Sequence, residues 1–230
     1  MTPTAEQFFR ESDYWKSWSQ VPDLTADIAY ALEAVRRSDA RILDVPSGRG
    51  RLLKAIRARA PKAALFALDV NEVMVARLQH ELPDVFAQVA SVYALPFRDR
   101  SFDTVLCHES FMHFERPRAA LAELCRVSRE RVYVSVTTRR QLNTLLRRLG
   151  VLGTTEVPHW TYNYEDLRGL LPDTFTWHVR GAFLIGQKSL RLSHAAHLRV
   201  HRLVGRHLPQ WLLRAFGQTL FAYGTRKIGR

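Results

Sequence analysis

Ten residues, Arg41-Ile-Leu-Asp-Val-Pro-Ser-Gly-Arg-Gly50, restrict the fold of this chain more than any others. An apolar run ends in Asp44, a tight turn passes through Gly48 and Gly50, and a segment with helical apolar spacing follows at once. Strand, glycine turn and helix in that order open a parallel α/β sheet. The turn is expected to bring bare backbone N–H groups and a helix N-terminus to a pocket at the strand's carboxyl end, where the polar end of a nucleotide-like ligand can sit. A dinucleotide-binding turn carries a third glycine. Leu53 stands there instead, which speaks against hydride-transfer chemistry. A plain strand-to-helix turn with no ligand is the competing reading of this segment taken alone.

The following hundred residues repeat the pattern. The first helix is expected over 50–60, closed by Pro61, and a second strand over 64–69. A helix over 72–81 is stopped by Pro83, and strands follow at 85–90 and 102–107, a helix at 117–127 and a strand at 131–136. Continuous apolar strands separated by helices imply a parallel sheet covered on both faces, doubly wound by right-handed crossovers, with a ligand crevice at the strands' carboxyl ends. Residues 5–37 read as two helices. Beyond 137 we expect a basic helix over 139–149, a loop over 150–163, a short helix over 164–171 and a terminal antiparallel hairpin within 174–191. From Ser193 to Tyr223 the chain reads as helical, broken at Pro209. The expected organisation is an N-terminal helical lid (1–37), an α/β domain (38–192) and a basic amphipathic helical tail (193–230).

Charge is uneven. The chain of 230 residues has a net charge of +12, and no acidic residue follows Asp173, while ten basic residues do. Arg199, Arg202 and Arg206 share one helical face, opposite Val200, Leu203, Val204, Leu208, Trp211 and Leu212. That pattern suits an anionic membrane surface, with a helix docked on the domain as an equal alternative and nucleic acid behind both. No run of 18 apolar residues and no secretory signal is present, and Cys107 and Cys125 read as two buried thiols, so the expected location is the cytoplasm, with peripheral contact at the inner membrane face.

Asp69 ends the second strand, 21 residues past Gly48, where a carboxylate can accept hydrogen bonds from both hydroxyls of a ribose. Capping the next helix is its other possible duty, although Asn71 could do that instead. The segment Leu95-Pro-Phe-Arg-Asp-Arg-Ser-Phe-Asp-Thr-Val105 then runs into the fourth strand. Ile42–Gly50, Leu68-Asp69 and this segment, in order and spacing over about residues 38–137, resemble the class I S-adenosylmethionine-dependent methyltransferases. The resemblance implies a mostly parallel seven-stranded Rossmann-like sheet and S-adenosyl-L-methionine as cofactor. It places Asp44 and the backbone of Ser47, Gly48 and Gly50 at the methionine part, Asp69 on the ribose, Val70 in the adenine pocket, Ser91 and Val92 at the adenine edge, and His108 toward the sulfonium. Two residues depart from the family pattern: Pro46 replaces a glycine and offers no N–H, and Ser91 replaces an aspartate.

His108-Glu-Ser-Phe-Met-His113 follows the fourth strand, and the family commonly has a histidine where His113 stands. A hydroxyl acceptor needs a base, and His113, His108 and Glu109 are the candidates, each of which could equally be a hydrogen-bonded loop residue. Trp160, Tyr162 and Tyr164, with Tyr14, Trp15 and Trp18, could wall an acceptor pocket or simply fill the core. No carboxylate and histidine spacing suggests a metal. The expected function is methyl transfer to a small-molecule or lipid-like acceptor, with an RNA methyltransferase or a non-catalytic domain of the same fold as alternatives. Oligomeric state is open.

Overall fold

The computed structural model describes residues 4–13, 16, 26–138, 158–182, 196, 199, 203 and 207–227. Helices α1 (Ala5–Glu11) and α2 (Ala26–Leu32) precede β1 (Arg41–Asp44), α3 (Arg51–Arg59), β2 (Ala64–Asp69), α4 (Glu72–Glu81), β3 (Phe86–Val89) and β4 (Phe102–Cys107). A 3-10 turn (Phe111–His113) leads to α5 (Pro117–Val127), β5 (Ser128–Thr137), α6 (Tyr164–Arg168), β6 (Phe175–Ala182), α7 (Gln210–Phe216) and β7 (Thr219–Arg226). The strands form one seven-stranded sheet in the order β3-β2-β1-β4-β5-β7-β6. β1 pairs in parallel with both β2 and β4, so the strand order reverses at β1 and a crevice opens at the carboxyl ends of β1 and β4. β7 runs antiparallel to both β5 and β6.

The apolar strands read as continuous because both faces are covered. Successive residues point to opposite sides of a strand. Leu43, Val105 and Val132 therefore enter the core beside α5, whereas Ile42, Leu106 and Tyr133 enter the core beside α2 and α3. Polar ties fix the ends. Asp103 accepts the backbone N–H groups of Ala40 and Arg41 at 2.8 and 2.9 Å, which seats the start of β1 beside β4. Arg126 binds the carbonyls of Leu95 and Phe97 and the carboxylates of Asp99 and Glu123, which shapes the entry into β4. Part of the Leu95-to-Val105 motif is thus scaffold.

The end of the chain departs from expectation. β6 keeps the early half of the expected hairpin, but its partner is β7, drawn from 219–226, a stretch read as the end of the helical tail. Amphipathic spacing misled here, since Leu220, Phe221 and Ala222 are all buried, and a strand covered on both faces alternates as little as a buried helix. β5 is also longer than expected, starting at Ser128. The expected helix over 139–149, Tyr14, Trp15 and Trp18, and the Arg202 and Arg206 face all lie outside the described residues.

Candidate active site

The crevice holds a cavity of about 440 Å³, in the range of small-molecule sites. Its floor is the turn after β1. Val45-Pro46 is a cis peptide, and Gly48 and Gly50 adopt φ of +51° and +79°, values that favour glycine. The turn's N–H groups are mostly spent: Ser47 donates to the Leu68 carbonyl at 2.8 Å, Gly48 to Asp69 Oδ2 at 2.8 Å, and Gly50 to the Ser47 carbonyl at 2.9 Å. The expected row of bare donors is therefore absent at these positions, and Pro46 costs the site little. Gly50 does not line the cavity. It sits behind the turn, where an added Cβ would press on Leu78 and Leu82 at 3.1 Å.

Carboxylates take the place of bare donors. Asp44 ends β1 in the cavity wall, 2% exposed, and its Oδ1 has no hydrogen-bond partner. Burial lifts its pKa to about 7; the positive charge of His108 works against that rise and Asp69 adds to it. A buried carboxylate oxygen left without a partner is a place for a cationic ligand group. Asp69 is held differently, with Gly48 N–H on Oδ2, Asn71 N–H on Oδ1 and the Val70 N–H also directed at the carboxylate, which leaves acceptor capacity for a hydroxyl. Burial still raises its pKa, although the N–H groups of Asn71, Gly48 and Val70 oppose the rise. Asn71 Oδ1 caps α4 through Met74 N–H, which frees Asp69 from that duty. Val70, Val92, Ala90 and Tyr93 complete this side of the cavity, but Ser91 does not line it.

Beyond β4 the three candidate bases separate. His108 is engaged at both ring nitrogens, Nε2 with Asp27 at 2.9 Å and Nδ1 with the Tyr133 hydroxyl at 3.2 Å. Burial disfavours a charged ring, yet the hydrogen bond and charge of Asp27, helped by Glu109 and Asp44, leave its pKa above the ordinary value. Both ring nitrogens are engaged within the protein, so in this geometry neither is free to take a proton from an acceptor. His113 donates from Nδ1 to the Pro158 carbonyl at 2.6 Å and packs on Phe9 at 4.8 Å. Burial pushes its pKa down to about 4, so it faces the cavity uncharged at neutral pH. Glu109 has φ of +51°, unusual for a residue with a side chain, and its N–H donates to Ser135 Oγ at 2.7 Å. Its carboxylate lies 3.8 Å from Arg51. Burial, followed by the negative charge of Asp27, pushes its pKa up to about 7.

Sequence reasoning missed Asp27 and Tyr133. Asp27 lies in a helix whose register with the sheet no local pattern reveals, and Tyr133 reads as an ordinary strand aromatic. Together Asp27, His108 and Glu109 place three potential metal-ligand atoms within 4.8 Å of one another, a grouping that chain spacing hides. Of the loop aromatics, Tyr162 is core, 5.9 Å from Phe111, while Trp160 is partly exposed.

Residues 43–136 match the profile of a methyltransferase domain. An uncharacterized methyltransferase of Schizosaccharomyces pombe is 26% identical over 140 residues, covering 56% of this chain and 48% of the relative. A demethylmenaquinone methyltransferase of Thermotoga maritima is 31% identical over 87 residues, covering 38% of each chain. The chain thus spans about half, or less, of the length of these curated relatives. Among solved structures, a SAM-dependent methyltransferase of Thermotoga maritima, described as a possible histamine N-methyltransferase, superimposes with a TM-score of 0.65 at 16% identity, covering 96% of this chain and 98% of that one. Residues 43–136 thus form a methyltransferase domain, and the strand order with carboxylates at the ends of β1 and β2 is consistent with the class I S-adenosylmethionine-dependent methyltransferase family.

Proposed function

We propose that this chain binds S-adenosyl-L-methionine in the crevice and transfers its methyl group to a small-molecule or lipid-like acceptor. The observation that carries the reading is the pair of cavity carboxylates: Asp44, buried with its Oδ1 unpartnered, and Asp69, oriented by backbone N–H groups with acceptor capacity to spare. The bound cofactor would supply an activated methyl group on a cationic sulfur. Asp44 would hold the ammonium of the methionine part and Asp69 the ribose hydroxyls, with Val70 and Val92 against the base. His113, uncharged, would border the acceptor side without repelling a cation. Glu109 would take the acceptor's proton, because a base with pKa near the working pH is more effective than one near 4. The demethylmenaquinone relative favours a lipid-like acceptor by analogy alone.

Isothermal titration with S-adenosyl-L-methionine tests the core of this reading. We expect micromolar-range binding in the parent chain and at least about a hundredfold loss in Asp69→Ala, through the lost ribose contacts and the freed Gly48 N–H. Absence of binding up to millimolar cofactor would sink the proposal.

A membrane contact remains part of the proposal because Trp211 and Leu203 are 67% and 63% exposed in a segment with no acidic residue. Among the described residues no helix is long and apolar enough to cross a membrane, so contact would be peripheral. Sedimentation with anionic vesicles, run beside RNA binding over a salt series, separates a lipid surface from a nucleic acid.

A further inference from the structure

Ser91 and Glu6 exchange roles relative to expectation. The single hydroxyl proton of Ser91 goes to Glu6 Oε2 at 2.8 Å, and its oxygen accepts the Tyr93 N–H at 3.2 Å. The hydroxyl therefore has no donor left, and Ser91 does not line the cavity. Glu6 does, beside Val70, Ala90 and Val92. Its Oε1 is turned to Arg10 at 3.2 Å, leaving Oε2 as the oxygen oriented by Ser91.

The position of Glu6 is built. Helix α1 has seven residues, too few to persist on its own helical stability. It is tied down at both ends: Glu115 accepts the Ala5 N–H, and Asn71 Nδ2 donates to the Phe9 carbonyl at 2.9 Å. The Phe9 ring packs on His113 between them. A carboxylate is thereby delivered from the opposite end of the sequence, 85 residues away from Ser91, to the end of the cavity beyond Asp69.

We propose that Glu6 is a ligand-binding and specificity residue: its carboxylate receives the exocyclic amine of the bound purine and so selects a 6-amino over a 6-oxo base. This rests on the reading that the cavity holds an adenosyl cofactor. An ionised carboxylate only accepts hydrogen bonds, whereas an amine offers two donors. A 6-oxo base would set a second acceptor against it, an unpaired contact that a site built for a donor rejects.

The test is calorimetric binding of S-adenosylhomocysteine and of the same thioether carrying hypoxanthine in place of adenine, to the parent chain, Glu6→Gln, Glu6→Ala and Asp69→Ala, with melting curves confirming that each variant folds. We expect the parent to prefer the amino base at least about tenfold. Glu6→Gln, whose amide can donate as well as accept, should bring the two ligands within about threefold of each other, and Glu6→Ala should weaken the amino ligand more than the oxo ligand. Asp69→Ala should weaken both alike and leave the ratio unchanged. A ratio unaltered in both Glu6 variants overturns the assignment while leaving the cofactor site intact. Failure of the parent to bind either ligand overturns the site itself, and this assignment with it.

Discussion

Asp44 shows how a single buried group sets stability against binding. Its carboxyl ordinarily loses its proton near 3.8 and here does so at about 7, chiefly because burial penalises the charge. Between those pH values the folded chain holds a proton that the unfolded chain has released, so stability falls as pH rises through that window. Asp44→Asn removes this dependence. We expect the variant to gain about 2 kcal/mol at pH 8, seen as a melting point ~4–8 °C higher, and to lose cofactor binding. For the parent, affinity should rise from pH 5 to about 7 and then level, because the cofactor's ammonium needs the ionised form; a titration flat across that range would exclude Asp44 as its partner. Glu109 makes the parallel case on the acceptor side. Glu109→Gln should leave cofactor affinity within a few fold and lower labelled-methyl transfer to extract fractions by roughly 10²–10⁴, whereas replacing His113 should have a smaller effect on rate.

Two elements meet at Asn71, and one side chain serves both. Its Oδ1 caps α4 through Met74 N–H at 3.1 Å, and its Nδ2 holds the end of α1 through the Phe9 carbonyl at 2.9 Å. Asn71→Ser keeps a capping oxygen and discards the amide donor. We expect it to cost under about 1 kcal/mol of stability and to loosen α1, read as faster hydrogen exchange at the N–H groups of Phe8 and Ser12. Asn71→Ala should lose the cap as well, at about 1–2 kcal/mol. Equal exchange in the parent and the serine variant would mean that α1 is held by other contacts. The cap was legible in the chain because an Asn before an apolar periodic run is a local signal. The hold on α1 was not, since it joins residues 62 apart and no local pattern encodes which helix lands on which strand end.

At the scale of the whole molecule, what could be read from sequence tracks how local the cause is. The turn from Asp44 to Gly50 and the runs of β2 and β4 were legible because glycine conformation and apolar spacing act within a few residues. The place of Asp69, at the end of β2 in the cavity wall, was legible for the same reason. The Asp27–His108 pair, the Glu6–Ser91 pair and the true partner of β6 were not, because each joins segments at least 37 residues apart through the topology of the sheet. β7 matters most among these. It pairs along eight residues with β6 and seven with β5, burying Leu220, Phe221 and Ala222 between strands that would otherwise expose two sheet edges. Close packing leaves no slack: a Cβ on Gly224 would lie 2.7 Å from the Trp177 ring. The C-terminal segment is therefore not a detachable appendage of the domain. A chain ended at residue 192 should lose cooperative thermal unfolding and aggregate, whereas Trp211→Ser, on an exposed face of α7, should melt within a few degrees of the parent. A cooperative melt from the shortened chain would show that β1 to β6 suffice for the fold and that the antiparallel closure is dispensable.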